Sequence, residues 1–169
     1  MSLLDMLKQY AGGSAPTNAA EVNQHFDQAA QSVPQNVLAD ALSHAFRSDQ
    51  TPQFGQMISA MFSQSNGEQK AGMLNQLLSS VGPGTLASIG GGGILSSLLA
   101  EGAKQVTPEQ AQNVSPGAVE QMATHAEKND PSIVDRAGEF YSQHPTLVKT
   151  LGAGVLSIAM AKMAKREAA

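Results

Sequence analysis

The chain contains no cysteine and no tryptophan. Without thiols it can form no disulfide, no thiolate zinc site and no iron–sulfur cluster, and it has no cysteine nucleophile. Aromatic residues of any kind are scarce: two tyrosines and five phenylalanines, 4% of the chain. That leaves few platforms on which the bases of a single strand could stack. Charge is thin as well, at 14% of residues against about 25% in typical domains. Ten basic residues face 14 acidic ones, for a net charge of −4. Nothing here would neutralise a phosphate backbone, which argues against a nucleic-acid partner. Long apolar runs are missing too. A bilayer span needs about 20 consecutive apolar residues. The nearest stretches, Thr85–Ala100 and Leu147–Ala161, are short, and Lys149 interrupts the second. At the N-terminus, Asp5 and Lys8 break the apolar run that a secretory signal requires. The expectation is a cytoplasmic protein that begins with a short amphipathic helix.

What the chain does have is helical period. Val37, Leu38, Ala41, Leu42, Ala45 and Phe46 form one apolar stripe, and Phe54, Met57, Ile58, Met61 and Phe62 form another. Leu74, Leu77, Leu78 and Val81 make a third, and Ile133, Val134, Ala137, Phe140 and Tyr141 a fourth. Spacings of three and four repeated this often specify amphipathic helices. No segment alternates apolar and polar residues with β-branched enrichment, so no sheet is expected. Thr51-Pro52, Ser115-Pro116 and Asp130-Pro131 each set a capping side chain before a proline at a first helical position. Thr107 with Gln110 reads as a capping box. Ser65-Asn66-Gly67 and Gly82-Pro83-Gly84 are turn clusters, and residues 11–17 form a linker after the first helix.

The halves of the chain resemble each other, and internal repeats reshape a fold assignment. Ala30-Gln31-Ser32-Val33 corresponds to Ala111-Gln112-Asn113-Val114, and His44-Ala45 to His125-Ala126, at an offset of about 81 residues. The helices that follow begin near Pro52 and Pro131 and end in Phe62-Ser63-Gln64 and Tyr141-Ser142-Gln143, at an offset of about 79. Gly93-Ile94-Leu95-Ser96 then resembles Gly154-Val155-Leu156-Ser157, which implies an insertion of about 18 residues in the first half, around Leu74–Val81. The expected architecture is all-α: a compact multi-helix domain of about eight to ten helices built from two pseudo-repeats, about 18–103 and 107–169. Residues 1–17 supply a mobile N-terminal helix and linker, and residues 18–169 the single helical domain.

Glycine inside a helix costs about 1 kcal/mol relative to alanine, so the glycines near Gly93, Gly152 and Gly154 call for an offsetting role. Close approach of two helix backbones is one such role. Insertion into lipid or self-association is another. No phosphate-binding signature accompanies these glycines.

No catalytic constellation stands out, and no enzymatic activity is expected. G-x-S-x-G is absent. Asp135 and Glu139, four apart on one face, read as a solvated surface. His44 and His125 are equivalent under the proposed repeat, and a pseudo-twofold axis that brought them together could place two imidazoles on a metal, with Asp40 or Glu120 nearby. No E-x-x-H or H-E-x-x-H spacing demands one, so neither a metal nor another cofactor is assigned. Met57, Met61, Met73, Met122, Met160 and Met163 fall at or near apolar helix positions, where methionine fills irregular gaps or lines an adaptable binding surface.

The opening, Met1-Ser2-Leu3-Leu4-Asp5-Met6-Leu7 followed by Gly12-Gly13, resembles the start of YidB-like bacterial proteins. That resemblance implies a bacterial origin and a small all-helical fold, and it implies no activity and no site residues. The functional expectation is therefore a non-enzymatic interaction or scaffold protein. It would bind a protein partner or self-associate through Leu3, Leu4 and Leu7, with Gly93, Gly152 and Gly154 as further contact positions. Reversible binding to a membrane surface is the second reading, resting on the glycine- and methionine-containing helices and the basic end at Lys162, Lys165 and Arg166. A histidine-based metal site is the third.

Overall fold

The computed structural model describes residues 2–81 and 105–168, and within them every regular element is helical. In chain order these are α1 (Leu3–Ala11), α2 (Ala19–Ser32), α3 (Gln35–Arg47), α4 (Phe54–Ser63), α5 (Gly67–Ser80), α6 (Pro108–Ala111), α7 (Pro116–Asn129), α8 (Ser132–Ser142), α9 (Pro145–Val148) and α10 (Ala153–Ala168). One turn of 3-10 helix, Lys149–Leu151, joins α9 to α10. The protein is all-α, as the stripes require.

The chain divides into two compact units. The first contains Met1–Pro52 and Gly138–Ala169, and the second contains Gln53–Ala137, so the division falls within α8. This differs from the expected layout of a mobile helix followed by a single domain at 18–169. The first helix belongs to the first unit, and it is packed. Leu7 is fully buried and Met6 and Tyr10 nearly so, with α1 lying along α10 over one of the broadest helix contacts in the chain. The reason is local. Ser2 caps α1 by accepting from Asp5 N at 3.2 Å, Asp5 sits favourably in the first turn and Lys8 in the last, and one whole face is apolar. A helix of nine residues is marginal by itself in water, so its order depends on burying that face.

In the first unit, α2 and α3 also pack on α10, and the core contains Phe26, Leu42, Phe46, Tyr141, Leu156 and Met160. Lys149 pairs with Asp27 at 2.9 Å and Arg166 with Asp40 at 3.5 Å. Exposed pairs of this kind contribute at most about 1 kcal/mol, so burial dominates. In the second unit α4 lies on α7, and α5 packs on α6 and α7, around Met57, Ile58, Met61, Phe62, Met73, Leu74 and Met122. The methionines singled out from the sequence are all fully buried and act as core filler.

The caps follow the sequence with one exception. Thr107 and Gln110 form the expected capping box and Ser115 caps α7 through Ala118 N. Asp130 Oδ1 accepts from Ser132 N at the start of α8. Thr51, expected to cap α4, instead donates its hydroxyl to the carbonyls of Ala45 at 2.7 Å and Ser48 at 2.9 Å. It therefore closes the C-terminus of α3, whose last carbonyls lack intrahelical donors, and α4 begins two residues past Pro52 without a side-chain cap.

Candidate functional site

In the first unit, α1 and α2 flank a groove of about 470 Å³ lined by Ser2, Leu3, Met6, His25, Gln28 and Ser32. Its volume lies within the range of small-ligand sites. Leu3 and Leu4 are half-buried, whereas Leu7 is fully buried. The three leucines assigned to one contact surface are thus divided. Leu7 belongs to the core, Leu3 lines the groove, and Leu3 and Leu4 both remain partly accessible. His25 is the only titratable side chain in the lining, and its orientation is fixed from behind. The Tyr10 hydroxyl stands 2.7 Å from His25 Nδ1, with the rings edge to face at 5.9 Å. His25 Nε2 lies 4.0 Å from Glu21 Oε1. An imidazole with its hydrogen on Nε2, toward that carboxylate, accepts a hydrogen bond from the Tyr10 hydroxyl at Nδ1. Burial, followed by the nearby Glu21 charge, pushes the Tyr10 phenol up to about 12. The arrangement holds the imidazole between the Tyr10 phenol and the Glu21 carboxylate.

A second groove of about 300 Å³, also in the first unit, lies between the end of α3 and α10. Tyr10, His44, Ser48, Lys162 and Lys165 are among the side chains lining it. The two lysines are one turn apart on α10. Arg166, next to Lys165, is held by Asp40.

In the second unit a polar clamp ties the end of α5 to the start of α8. Arg136 donates to Ser79 Oγ at 2.8 Å and to Ser80 Oγ and Asp130 Oδ2 at 2.5 Å each. Asp130 Oδ1 also accepts from the Ser132 hydroxyl at 2.5 Å. The Ser132 hydroxyl, foremost, and Arg136 among the lesser causes hold the Asp130 carboxyl below its ordinary value. Each group has its partner, so the clamp fastens two helices and does not present a site.

The glycines and histidines need a different reading from the one their sequence positions suggest. Gly152 has φ 95° and ψ 167°, a conformation essentially reserved for glycine, and it stands just before α10 where its carbonyl accepts from Leu156 N. Gly154 is exposed, and a side chain added at either position would meet nothing within 4 Å. Neither glycine is a close-packing position. Gly93 lies outside the described residues. Close approach occurs instead at Gly55 and Gly138, which the pattern of clustered glycines did not reveal. A Cβ at Gly55 would stand 2.7 Å from Glu120 O, and one at Gly138 would stand 2.7 Å from Ala39 O. His44 is exposed on α3 in the first unit and His125 half-buried on α7 in the second. Among the described residues, no three of His, Asp and Glu are grouped closely enough to hold a metal ion, and no helix is long and apolar enough to cross a membrane.

The chain matches no family model, no curated protein and no solved structure.

Proposed function

We propose that this protein is a non-enzymatic helical scaffold that pairs with a second copy of itself through the α1–α2 groove. The observation that carries the reading is the groove itself: an apolar floor at Leu3 and Met6, a rim of Ser2, Gln28 and Ser32, and one titratable side chain, His25. Two identical surfaces meeting about a twofold axis bring each charge near its own copy. A groove almost free of charge carries little such penalty, and Leu3 and Leu4 from one copy are the right size to fill the groove of the other. The cytoplasmic placement and bacterial origin expected from the sequence belong to the same proposal.

The test is the mass in solution of the full chain and of Leu3→Asp, by light scattering over a concentration series. Leu3 is half-buried and Leu7 anchors α1, so the variant should keep its helical content and melting temperature. The expected result is a concentration-dependent dimer in the parent and a monomer in Leu3→Asp. A parent that stays monomeric at every concentration overturns the reading.

A second reading rests on the other groove. Lys162, Lys165 and His44 gather there without a carboxylate in the lining, which favours an anionic headgroup at a membrane surface. Co-flotation with anionic but not with zwitterionic vesicles, lost in Lys162→Glu, supports it, and no flotation with either removes it.

A further inference from the structure

In both units, the broad helix packing joins the first half of the chain to the second. In the first unit α1, α2 and α3 all lie on α10, and Gly138 of α8 seats on α3. In the second unit α4 lies on α7, and α5 lies on α6 and α7. Among the described residues, α1 with α2 and α4 with α5, both within the first half, meet over narrower contacts than α1 with α10 or α4 with α7.

The two crossings also correspond to each other. Gly138 of α8 meets Ala39 O and Ser43 Oγ on α3, and Gly55 of α4 meets Glu120 O and Thr124 Oγ1 on α7. Ala39 and Ser43 stand 81 positions before Glu120 and Thr124, the offset already read from the His-Ala pairs. In each case the hydroxyl bonds back to the carbonyl four residues earlier, at 3.0 Å for Ser43 and 2.8 Å for Thr124. All five buried residues of α7, Ala118, Val119, Met122, Ala123 and Ala126, fall at the same offset from Val37, Leu38, Ala41, Leu42 and Ala45, which are buried too. Pairing the two glycines sets α4 against α8 one helical turn away from the register of the aromatic-Ser-Gln ends. In this correspondence α2 matches α6, α3 matches α7, α4 matches α8, and α5 takes in the second unit the place α10 takes in the first.

We propose that the chain is a tandem duplication whose halves are packed crosswise, and that this packing allows the halves of two chains to replace one another. Each unit is completed by helices from both halves. A dimer in which the first half of one chain pairs with the second half of the other therefore keeps each of the crossings named above. The crossings between described helices are the same in both arrangements, and concentration decides between them. A chain presents its own second half at an effective concentration on the order of millimolar, so folding in dilute solution closes each chain on itself and folding near that concentration lets partners exchange. The exchanged dimer differs from the groove dimer in two ways. It forms only through unfolding, and it does not use Leu3.

The experiment mixes isotope-labelled and unlabelled full-length chains in denaturant, refolds them at millimolar and at micromolar concentration, dilutes both, and reads the masses by native mass spectrometry. A parallel sample mixes the two chains after folding, and all samples are repeated with Leu3→Asp. The expected result after concentrated refolding is a dimer, about half of it carrying one chain of each kind as random pairing of identical chains requires. It should survive dilution for hours, persist in Leu3→Asp, and be absent from the dilute and the post-folding samples. Absence of a dimer after concentrated refolding, dissociation within minutes of dilution, or loss of the dimer in Leu3→Asp overturns the proposal. The last two outcomes would leave the groove reading standing.

Discussion

Tyr141 is fully buried, and among the described residues its hydroxyl has no hydrogen-bond partner. Its ring lies edge-on to Phe140 at 5.0 Å and to Phe46 at 6.4 Å, contacts a phenylalanine would keep. Leaving a polar group buried and unpaired costs about 1–3 kcal/mol. Tyr141→Phe removes that cost without opening a cavity larger than one oxygen, so it should stabilise the protein by about 1 kcal/mol, the low end, since some relaxation around the oxygen is expected. For a chain of this size that corresponds to a rise in Tm of about 2–4 °C. Alkaline pH gives a second readout. Burial raises the Tyr141 phenol far above its ordinary value, so in the folded state it stays protonated while the unfolded chain ionises above about pH 10. The unfolded state then binds fewer protons, and stability falls as pH rises, by about 1.4 kcal/mol per pH unit for each such tyrosine. Tyr141→Phe deletes one of these contributions, and Tyr10, with its phenol raised to about 12, retains a weaker one. The advantage of the variant should therefore widen from pH 7 to pH 11. Urea unfolding followed by circular dichroism at both values measures it. A variant less stable than the parent at pH 7 would show that the hydroxyl has a partner, and an advantage that stays constant with pH would show that burial does not hold the phenol protonated; either result refutes the reasoning.

Neighbouring glycines should respond with opposite sign. Gly152→Ala forces a side chain into a conformation costing about 1–3 kcal/mol, whereas Gly154→Ala, in open space on α10, should stabilise by up to about 1 kcal/mol; thermal melts of the two variants decide. Gly55→Ala and Gly138→Ala should each destabilise by about 1–3 kcal/mol, because the new methyl group meets a carbonyl oxygen of α7 or α3 and the helices must part; chemical denaturation reads both. Asp130 contributes stability that is complete above its unfolded pKa of about 3.9 and is lost as pH falls through its lower folded value. Asp130→Ala should therefore be less stable than the parent at pH 6 and lose less on acidification, as acid unfolding monitored by circular dichroism will show.

Much of the fold was legible because apolar spacing is a direct record of burial. Every residue of the stripes in α3 and α4 is buried, and in α8 only Phe140 is half-exposed. Capping was legible at Thr107 and Ser115, each before a proline, but the same pairing at Thr51-Pro52 misled, since Thr51 closes α3 instead. Capping was missed at Asn66, whose side chain accepts from Gln69 N while Gln69 returns to Asn66 N; the Ser65-Asn66-Gly67 cluster reads first as a turn. The packed state of α1 was not legible, since a short amphipathic segment before a Gly-rich linker looks the same whether its apolar face is covered or not. The close-packed glycines were hidden for a related reason. Gly55 and Gly138 stand singly inside ordinary stripes, and only the facing helix reveals that a backbone passes there. The signal that could have found them is the pair of small hydroxyl residues, Ser43 and Thr124, at equivalent places on α3 and α7. Leu3 is half-buried and Leu7 fully buried, a difference that period alone could not show, because one stripe serves both the core and the groove.

Self-pairing at the α1–α2 groove is tested most directly by hydrogen–deuterium exchange of the native full chain at micromolar and at near-millimolar concentration. The expected result is added protection at high concentration confined to peptides covering residues 2–9 and 25–32. Identical exchange at both concentrations, or added protection elsewhere with none in those two segments, would contradict it.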